Sequence, residues 1–329
     1  MLNMVYELPK SKSGMEKVCS FLHGIGLSWD DGIEYTVCLM DGAEVVATGS
    51  CQGNVLKCIG IADDRRGEGL AACVVTELVK HAALTGHYHL FLFTTPNSKS
   101  IFLELGFYPV AQTETVVLME NRRSGITDFV AGIKSPAARG SIGCIVANCN
   151  PFTKGHLHLA ETAAEDCDFV YFFLLSENQG LFPTETRRAL AEQGLAHLKN
   201  VAVVPTGDYL ISHVTFPDYF LKDKGMAVKA HYDLDLAVFC ERFAAVLGIT
   251  KRFVGEEPFD LLTMQYNERM KQTLPEHGVQ LIEIPRAQCD GAVISASTVR
   301  RLLRAHGLAE IHGYVPETTY QYLEELCHE

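Results

Sequence analysis

The stretch SIGCIVANCNPFTKGHLHLAETAAED, residues 141–166, decides how this chain is interpreted. An apolar run over 142–147 stops at an Asn-Pro pair, and apolar residues then return at helical spacing. This pattern predicts a strand, a tight turn and a helix. The turn places Gly155 beside His156 and His158. A turn that only joins a strand to a helix needs a cap, not two imidazoles, so these side chains indicate chemistry.

The polar residues at this helix start suit phosphate chemistry. Nucleotidyl transfer passes through a phosphorus centre whose oxygens gain charge, so it needs donors in fixed positions. His156 and His158 can donate to phosphate oxygens, Lys154 adds a positive charge, and the helix N-terminus adds its dipole. Gly155 leaves space for a nucleotide to lie against the backbone. We therefore predict that His156 and Lys154 are catalytic.

A second segment of this kind lies far along the chain, in ISASTVR, residues 294–300. Ser295, Ser297 and Thr298 stand at the start of a predicted helix, where hydroxyls cap the helix and offer hydrogen bonds. Arg300 lies one turn further on, where it can grip phosphates, and is predicted to be catalytic. Ordinary capping explains either segment alone equally well. The occurrence of both segments in one chain favours phosphate binding.

Further polar residues follow other predicted strands. Ligands of open α/β sheets bind beyond the carboxyl ends of the strands, so we expect Gly255 and Glu256 to contact the nucleotide. Arg187, Arg188 and Arg286 are possible contacts for a phosphate or an anionic substrate. The alternative for the first two is a solvated helix face, and for Arg286 a surface charge.

The length and composition limit the class of protein. A chain of 329 residues exceeds one typical domain, which predicts two. The net charge of −12 argues against a nucleic-acid partner, which would need a basic surface. Residues 1–14 contain no apolar core of signal-peptide length, and the longest apolar run, 169–175, is too short to span a membrane. We therefore expect a soluble, cytoplasmic protein without a membrane partner.

The eleven cysteines form no C-x-x-C pair and are scattered through apolar runs. This usage is typical of small buried side chains in a reducing compartment rather than of a disulfide framework. Cys144 and Cys149 with the nearby histidines could be taken for a zinc site. Their spacing matches no common zinc pattern.

The chain divides near residues 131–141, where small residues, one proline and two cations interrupt the apolar periodicity. Before this seam, strand-like runs surround one convincing helix over 69–85, an α+β pattern. After it, short apolar strands alternate with amphipathic helices, which predicts a Rossmann-like parallel sheet. The fold class is therefore α/β, with domains 1–135 and 136–329.

The loop at residues 66–71 of the first domain follows a predicted strand and opens the helix. Glycines at a helix start let backbone N–H groups and the helix dipole hold pyrophosphate. The R-x-x-G-x-A spacing resembles the acyl-CoA loop of the GNAT acetyltransferases, and residues 90–110 resemble the second half of that fold. The resemblance implies that a CoA-like arm is bound by Arg66, Gly67, Gly69 and Ala71. The alternatives are a glycine turn without a ligand, and active acetyl transfer, for which no base declares itself.

The two phosphate segments of the second domain resemble the HxGH and ISSTxxR signatures of the nucleotidyltransferase superfamily. Thr153 stands where many members carry the first histidine, which shifts phosphate stabilisation onto His156. Ala296 and Ser297 replace a serine and a threonine. The resemblance implies that the nucleotide is bound by Asn150, Phe152, Thr153, Gly155, His158, Gly255, Glu256, Ser295, Ser297 and Thr298.

The order of the two domains, with the short motifs VGEEP at 254–258 and YN at 266–267, resembles the citrate lyase ligase family over nearly the whole chain. That resemblance implies that ATP and acetate form acetyl-adenylate and pyrophosphate. The acetyl group then passes to the prosthetic-group thiol of the citrate lyase acyl carrier subunit, releasing AMP and activating the lyase. Mg²⁺ is expected to neutralise the pyrophosphate, although no carboxylate cluster marks its site. The alternatives are a stand-alone cofactor adenylyltransferase and an N-acetyltransferase with a degenerate second domain.

Overall fold

The computed structural model describes residues 2–5, 12–30, 32–134, 140–176, 180–210, 219–220, 224–257 and 260–328. Its contacts divide the chain into two units. The first comprises Met1–Asp128 with His213–Ala237, and the second comprises Phe129–Ser212 with Val238–Glu329. The boundary that we predict between residues 135 and 136 stays a prediction, because 135–139 lie outside the described residues.

The first unit contains a seven-stranded sheet. Its strands are β1 (Leu2–Val5), β2 (Tyr35–Asp41), β3 (Glu44–Gln52), β4 (Val55–Ile61), β5 (Phe91–Thr94), β6 (Tyr108–Gln112) and β7 (Val117–Glu120), and the helices up to the unit boundary are α1 (Lys12–Gly24), α2 (Leu70–Leu84), α3 (Lys99–Glu104) and α4 (Gly125–Ala131). The strand order is β1-β2-β3-β4-β5-β7-β6. Neighbouring strands are antiparallel except β4 and β5, which are parallel.

The core of this unit lies between the sheet and α2. Leu70, Val74, Leu78 and Ala82 are buried at intervals of four residues, so they form one apolar stripe along α2. This stripe packs against inward-facing strand residues such as Leu92. The helix predicted over 69–85 and the α+β pattern are thereby confirmed.

The second unit contains a parallel sheet flanked by helices. Its strands are β8 (Ile142–Ala147), β9 (Phe169–Leu174), β10 (Val201–Pro205), β11 (Lys251–Gly255) and β12 (Gln280–Ile284), followed by a small hairpin of β13 (Gln288–Cys289) and β14 (Ala292–Val293). The helices of this unit are α5 (Lys154–Asp166), α6 (Thr184–Gly194), α8 (Ala245–Leu247), α9 (Leu261–Thr273), α10 (Ala296–His306) and α11 (Glu317–His328), with a π-helical turn at Phe239–Ala244. Helix α7 (Lys224–Val238), between α6 and α8 in the chain, belongs to the first unit up to Ala237.

The strand order of the second sheet is β10-β9-β8-β11-β12, and every pairing is parallel. The chain therefore runs outward from β8 to β10 on one side and continues with β11 and β12 on the other. The point between β8 and β11 is a topological switch point, where open α/β sheets form a crevice at the carboxyl ends of their strands. The predicted Rossmann-like sheet is confirmed, and the segment after β8 begins at this crevice.

Candidate active site

A pocket of about 260 Å³ lies at the switch point, beyond the carboxyl ends of β8 and β11. It is formed by residues of the second unit alone. The predicted site residues among its lining are Thr153, Gly155, His156, His158, Gly255, Arg286 and Ser295. The N-cap residues of both α5 and α10 contribute to the lining, so two helices begin at the pocket and direct their positive dipole ends toward it.

His156 is held by a capping box at the start of α5. The Thr153 hydroxyl accepts a hydrogen bond from the His156 backbone N–H, and the Thr153 backbone N–H donates to His156 Nδ1 at 3.0 Å. Because Nδ1 accepts, the proton of the neutral ring lies on Nε2. Burial, with a smaller effect of the Arg286 charge, lowers the pKa of His156 to about 4. At neutral pH this side chain is an uncharged Nε2–H donor in the pocket.

The two phosphate segments of the sequence meet in space. Arg300 Nη1 donates to the carbonyl oxygen of Asn150 at 2.5 Å. A side chain at Gly155 would place its Cβ only 3.2 Å from the carbonyl oxygen of Ile294, so the glycine allows the second segment to approach the first. This is a packing reason for Gly155 that we did not predict. The contact joins residues more than a hundred positions apart into one site.

The second segment is ordered by its own hydroxyls. Ser295 is the N-cap of α10, and its Oγ accepts from the Thr298 backbone N–H at 3.1 Å. The same Oγ lies 2.9 Å from the hydroxyl oxygens of both Ser297 and Thr298. Burial, and then the neighbouring charge of Arg304, lowers the pKa of Arg300. The helix start is therefore preorganised, with Ser295 at the pocket wall.

Arg286 and Gly255 also line the pocket. Arg286 Nε donates to the Glu256 carbonyl oxygen at 2.6 Å, and its Nη2 forms an ion pair with Glu257. The absent side chain of Gly255 leaves the nearest Arg286 atoms 3.9 Å from the Cβ that another residue would have. Arg286 therefore lines the pocket, and the alternative of a plain surface charge does not describe it.

Arg187 is not a phosphate contact, and this prediction is corrected. Its side chain is 1% exposed and its donors are used inside the protein. Nη1 donates to the backbone and side-chain oxygens of Asn148 and to the Leu175 carbonyl, at 2.6, 2.8 and 2.9 Å. Nε donates to the Phe182 carbonyl and Nη2 to the Thr184 hydroxyl. The charge fixes the loops that follow β8 and β9, and the alternative of a solvated helix face is also wrong.

Phe152 needs a similar correction. Its side chain is fully buried, in edge contact with Phe172 and stacked on the His156 ring at a centroid distance of 5.7 Å. The ring therefore supports His156 from the core side and is out of reach of a nucleotide. Asn150 is also buried, and its Oδ1 accepts from the Phe182 backbone N–H at 3.2 Å.

Two predicted cations point to other partners. Lys154 Nζ donates to the His312 carbonyl oxygen at 3.2 Å, and Lys154 is absent from the pocket lining. Arg188 forms ion pairs with Glu185 and Glu192 on the surface of α6. In this structure neither side chain contributes charge to the pocket wall.

Arg252, Tyr266 and Asn267 also line the pocket and were not predicted as site residues. Arg252 is buried, its guanidinium lies 4.4 Å above the Phe239 ring, and its Nη2 donates to the Tyr266 hydroxyl at 3.4 Å. Asn267 donates to the Gly255 carbonyl at 3.2 Å and thereby fixes the end of β11. The available signals were an arginine within strand β11 and the Tyr-Asn pair at residues 266–267.

The glycine loop of the first unit, residues 66–71, leads into helix α2. Gly67 and Gly69 have φ values of +87° and +75°, which side-chain-bearing residues rarely adopt. Gly69 is the N-cap of α2 and has no side-chain capping bond. Arg66 is exposed and forms an ion pair with Asp63 at 2.6 Å. The two glycines thus leave the backbone at the start of α2 without side chains of their own, as predicted. Ligand binding by this loop stays a prediction.

Among the described residues no group of three or more His, Cys, Asp and Glu side chains could hold a metal ion. Burial raises the pKa of Cys144 to about 12 and also raises that of Cys149. No helix of the described residues has both the length and the apolar character that a membrane span needs.

The fold and the site together define a protein of two units. In the unit with the parallel sheet, two helices begin at one pocket, and both begin with polar residues suited to binding phosphate. Residues 142–323 match the family described as citrate lyase ligase C-terminal domain. The chain is 39% identical over 329 residues to a [citrate [pro-3S]-lyase] ligase of Klebsiella pneumoniae, covering 98% of this chain and 96% of that one. The corresponding ligase of Escherichia coli K12 is 37% identical over 319 residues, with 95% and 91% covered. The chain belongs to the citrate lyase ligase family, and the resemblance predicted from the sequence is confirmed.

Two partial similarities accompany this match. A phosphopantetheine adenylyltransferase of Streptococcus pneumoniae is 37% identical over 75 residues, which cover 22% of this chain and 46% of that protein. A solved acetyltransferase of the GNAT family from Staphylococcus aureus Mu50 is similar over 37% of this chain and 99% of its own, at 10% identity and a TM-score of 0.32.

Proposed function

We propose that this chain is the ligase that acetylates citrate lyase. ATP and acetate form acetyl-adenylate and pyrophosphate, and the acetyl group then passes to the thiol on the acyl carrier subunit of citrate lyase, releasing AMP. The observation that carries the proposal is the pairing of two capped helix starts across one pocket, in a chain of the citrate lyase ligase family.

In the first half-reaction, an acetate oxygen attacks the α-phosphorus of ATP and the bond to pyrophosphate breaks. Acetate is already ionised at neutral pH, so no base has to remove a proton. The protein therefore supplies donors for the charge that grows on the phosphate oxygens. Neutral His156, with Nε2–H available, is the proposed central donor, and the two helix dipoles add to it. Arg300 and Arg286 are the proposed charged contacts.

In the second half-reaction, the carrier sulfur attacks the acetyl carbonyl, the bond to the phosphate oxygen breaks, and AMP leaves. The thiol proton is lost as the thioester forms. Activation as an adenylate is needed because free acetate is too poor an electrophile to acylate a thiol. The donors that stabilise the α-phosphate in the first step also stabilise the departing AMP phosphate.

Mg²⁺ is proposed as an ion that arrives with ATP. The described residues offer no protein-held metal cluster, and Glu257 is already paired with Arg286. Mg²⁺ in nucleotide sites is held largely by substrate phosphates, with few protein carboxylates. The residues present therefore do not fit a dedicated metal site, and no step is assigned to one.

The loop at residues 66–71 is proposed to hold the CoA-like arm of the carrier. Gly67 and Gly69 keep that backbone free of side chains at the N-terminus of α2, where a helix dipole favours pyrophosphate. The proposed location is the cytoplasm, in line with the ten cysteines of the described residues that are all free thiols.

The reactivation of citrate lyase tests the function. The deacetylated lyase is incubated with this chain, ATP, Mg²⁺ and acetate, and citrate cleavage is then measured. Cleavage should appear only when both ATP and acetate are present. If the chain instead forms pyrophosphate from ATP and phosphopantetheine, the cofactor adenylyltransferase alternative is correct and the proposal is wrong.

A further inference from the structure

Helix α10 separates its apolar and charged residues cleanly. Val299 is buried, and Leu302 and Leu303 pack on the same cluster, which also contains Ile311 and Leu323. The opposite side carries Ser297, Arg300, Arg301 and Arg304. Their spacing of three, four and seven residues places these four side chains in one stripe along the helix.

The outer two arginines of this stripe have no carboxylate partner. Arg301 and Arg304 are exposed, and no described carboxylate lies within 4.0 Å of either guanidinium. Positions 291–308 contain no Asp or Glu at all. The stripe is thus an uncompensated positive surface.

This arrangement is unfavourable for the isolated protein. Arg300 and Arg304 lie at positions i and i+4, where like charges on a helix repel each other. The chain as a whole carries a net charge of −12, with 40 acidic and 28 basic residues. Three arginines within five positions on such a chain concentrate positive potential where an anionic partner would relieve it.

The position of the stripe indicates what that partner is. Ser295 and Ala296, at the start of α10, line the pocket, whereas Arg301 and Arg304 do not. The two arginines are exposed on the same helix, about two turns beyond the residues with which α10 begins at the pocket. A partner that touches them from solvent would arrive beside the proposed site of acetyl-adenylate.

We propose that Arg301 and Arg304 dock a carboxylate-bearing surface of the carrier protein that brings the thiol to the pocket. This inference rests on the proposed function, because that function requires a protein-borne thiol to approach the pocket from outside. Exposed charge pairs across an interface mainly speed and orient association. The arginine stripe therefore acts on carrier recognition and leaves the chemistry of acetate activation to the pocket.

The full-length variant Arg301→Gln/Arg304→Gln tests the inference through two separate reactions. Acetate-dependent exchange of pyrophosphate into ATP, measured without carrier, should match the wild type. Acetyl transfer to the carrier should show a KM raised by about tenfold with kcat retained, and a weaker dependence on salt, as expected for lost interface charges. Transfer to the small thiol pantetheine should stay unchanged.

Two matched variants control for charge and folding. Arg122→Gln/Arg123→Gln removes the same charge from exposed positions of the first unit and should transfer to the carrier as the wild type does. Arg301→Lys/Arg304→Lys keeps the positive charge and should retain most of the transfer. Recovery in the lysine variant assigns the effect to charge even if the glutamine variant folds poorly.

Three outcomes overturn the inference. Carrier transfer at the wild-type KM in the glutamine variant shows that the stripe does not dock the carrier. Parallel loss of exchange and transfer shows that the stripe serves the nucleotide site instead. If the wild type itself shows neither acetate-dependent exchange nor transfer, the proposed function is refuted. This outcome is distinguishable from failure of the docking inference, because it does not depend on any variant.

Discussion

At the scale of single residues, His156 shows how local backbone contacts define a chemical role. The capping box with Thr153 leaves Nδ1 as an acceptor, and burial lowers the pKa to about 4. A neutral imidazole that donates from Nε2 can stabilise growing negative charge throughout the reaction without changing its own protonation state. The sequence predicts that His156 is a site residue, whereas the tautomer of its ring follows from the contact with the Thr153 backbone.

The lowered pKa of His156 predicts a specific pH dependence of stability. Between pH 6.5 and 4 the unfolded chain binds a proton at this residue and the folded chain does not, so the free energy of unfolding falls as the pH drops through this window. From pH 7 to 5 the wild type should lose about 1–2 kcal/mol more than His156→Gln. Denaturant unfolding at both pH values measures the difference, and equal losses would show that the folded-state pKa is ordinary.

Arg187 should matter for folding rather than for phosphate binding. Replacement by methionine leaves several buried carbonyl oxygens without their donor and should reduce the free energy of unfolding by about 3 kcal/mol. The neighbouring Arg188→Met on the exposed side of α6 is the matched control and should change it little. Chemical denaturation of both variants checks this. A loss of ATP binding with unchanged stability in Arg187→Met would contradict the structural role.

Single residues also show the limits of the sequence. Arg187 and Phe152 stand in motifs that attract a functional interpretation, yet both are buried supports. Burial depends on which loops pack over a residue, and the neighbouring residues in the sequence do not indicate this. Arg252 was overlooked for a different reason, because it lies inside strand β11 and the sequence does not indicate that its side chain lines the pocket.

At the scale of elements, the site is built by the order of the strands. The switch point between β8 and β11 opens the crevice, and α5 and α10 both start at its wall. The strands of the parallel sheet could be predicted because buried strands form short apolar runs. Strand β6 is harder to predict, since Pro109 interrupts its pattern. Proline is tolerated there because β6 is the edge strand of its sheet.

The glycine loop at the start of α2 is proposed to act only in the second half-reaction. Exchange of Gly67 and Gly69 for valine places side chains on backbone of positive φ and obstructs the loop. Acetyl transfer to the carrier should fall while acetate-dependent pyrophosphate exchange continues. Side-by-side assays of the two reactions decide the matter. Unimpaired transfer would remove the loop from the mechanism.

At the scale of the whole molecule, the division of the chain is not a single cut. Residues His213–Ala237 belong with the first unit, although the second-unit sequence surrounds them. Tyr219 is buried there with Val18, Leu22 and Cys58, and its carbonyl accepts from the Ser28 backbone N–H at 2.8 Å. No local pattern of the sequence indicates such a long-range partner for Tyr219.

A fragment of residues 136–329 should therefore fold poorly. It retains Tyr219 but lacks the first-unit residues that bury it, so apolar surface becomes exposed. We expect increased binding of a hydrophobic dye and a less cooperative thermal transition than in the full chain. The experiment compares both proteins under the same conditions. Cooperative unfolding of the fragment at the temperature of the full chain would contradict this account.

The central claim is that the pocket around His156 activates acetate. Its most direct test is the exchange of labelled pyrophosphate into ATP, with Mg²⁺, with and without acetate, by the wild type and by His156→Ala. The account predicts exchange that requires acetate and falls by about a hundredfold or more in the variant, the loss typical of a key transition-state donor. Exchange that ignores acetate, or that survives in His156→Ala, would contradict it.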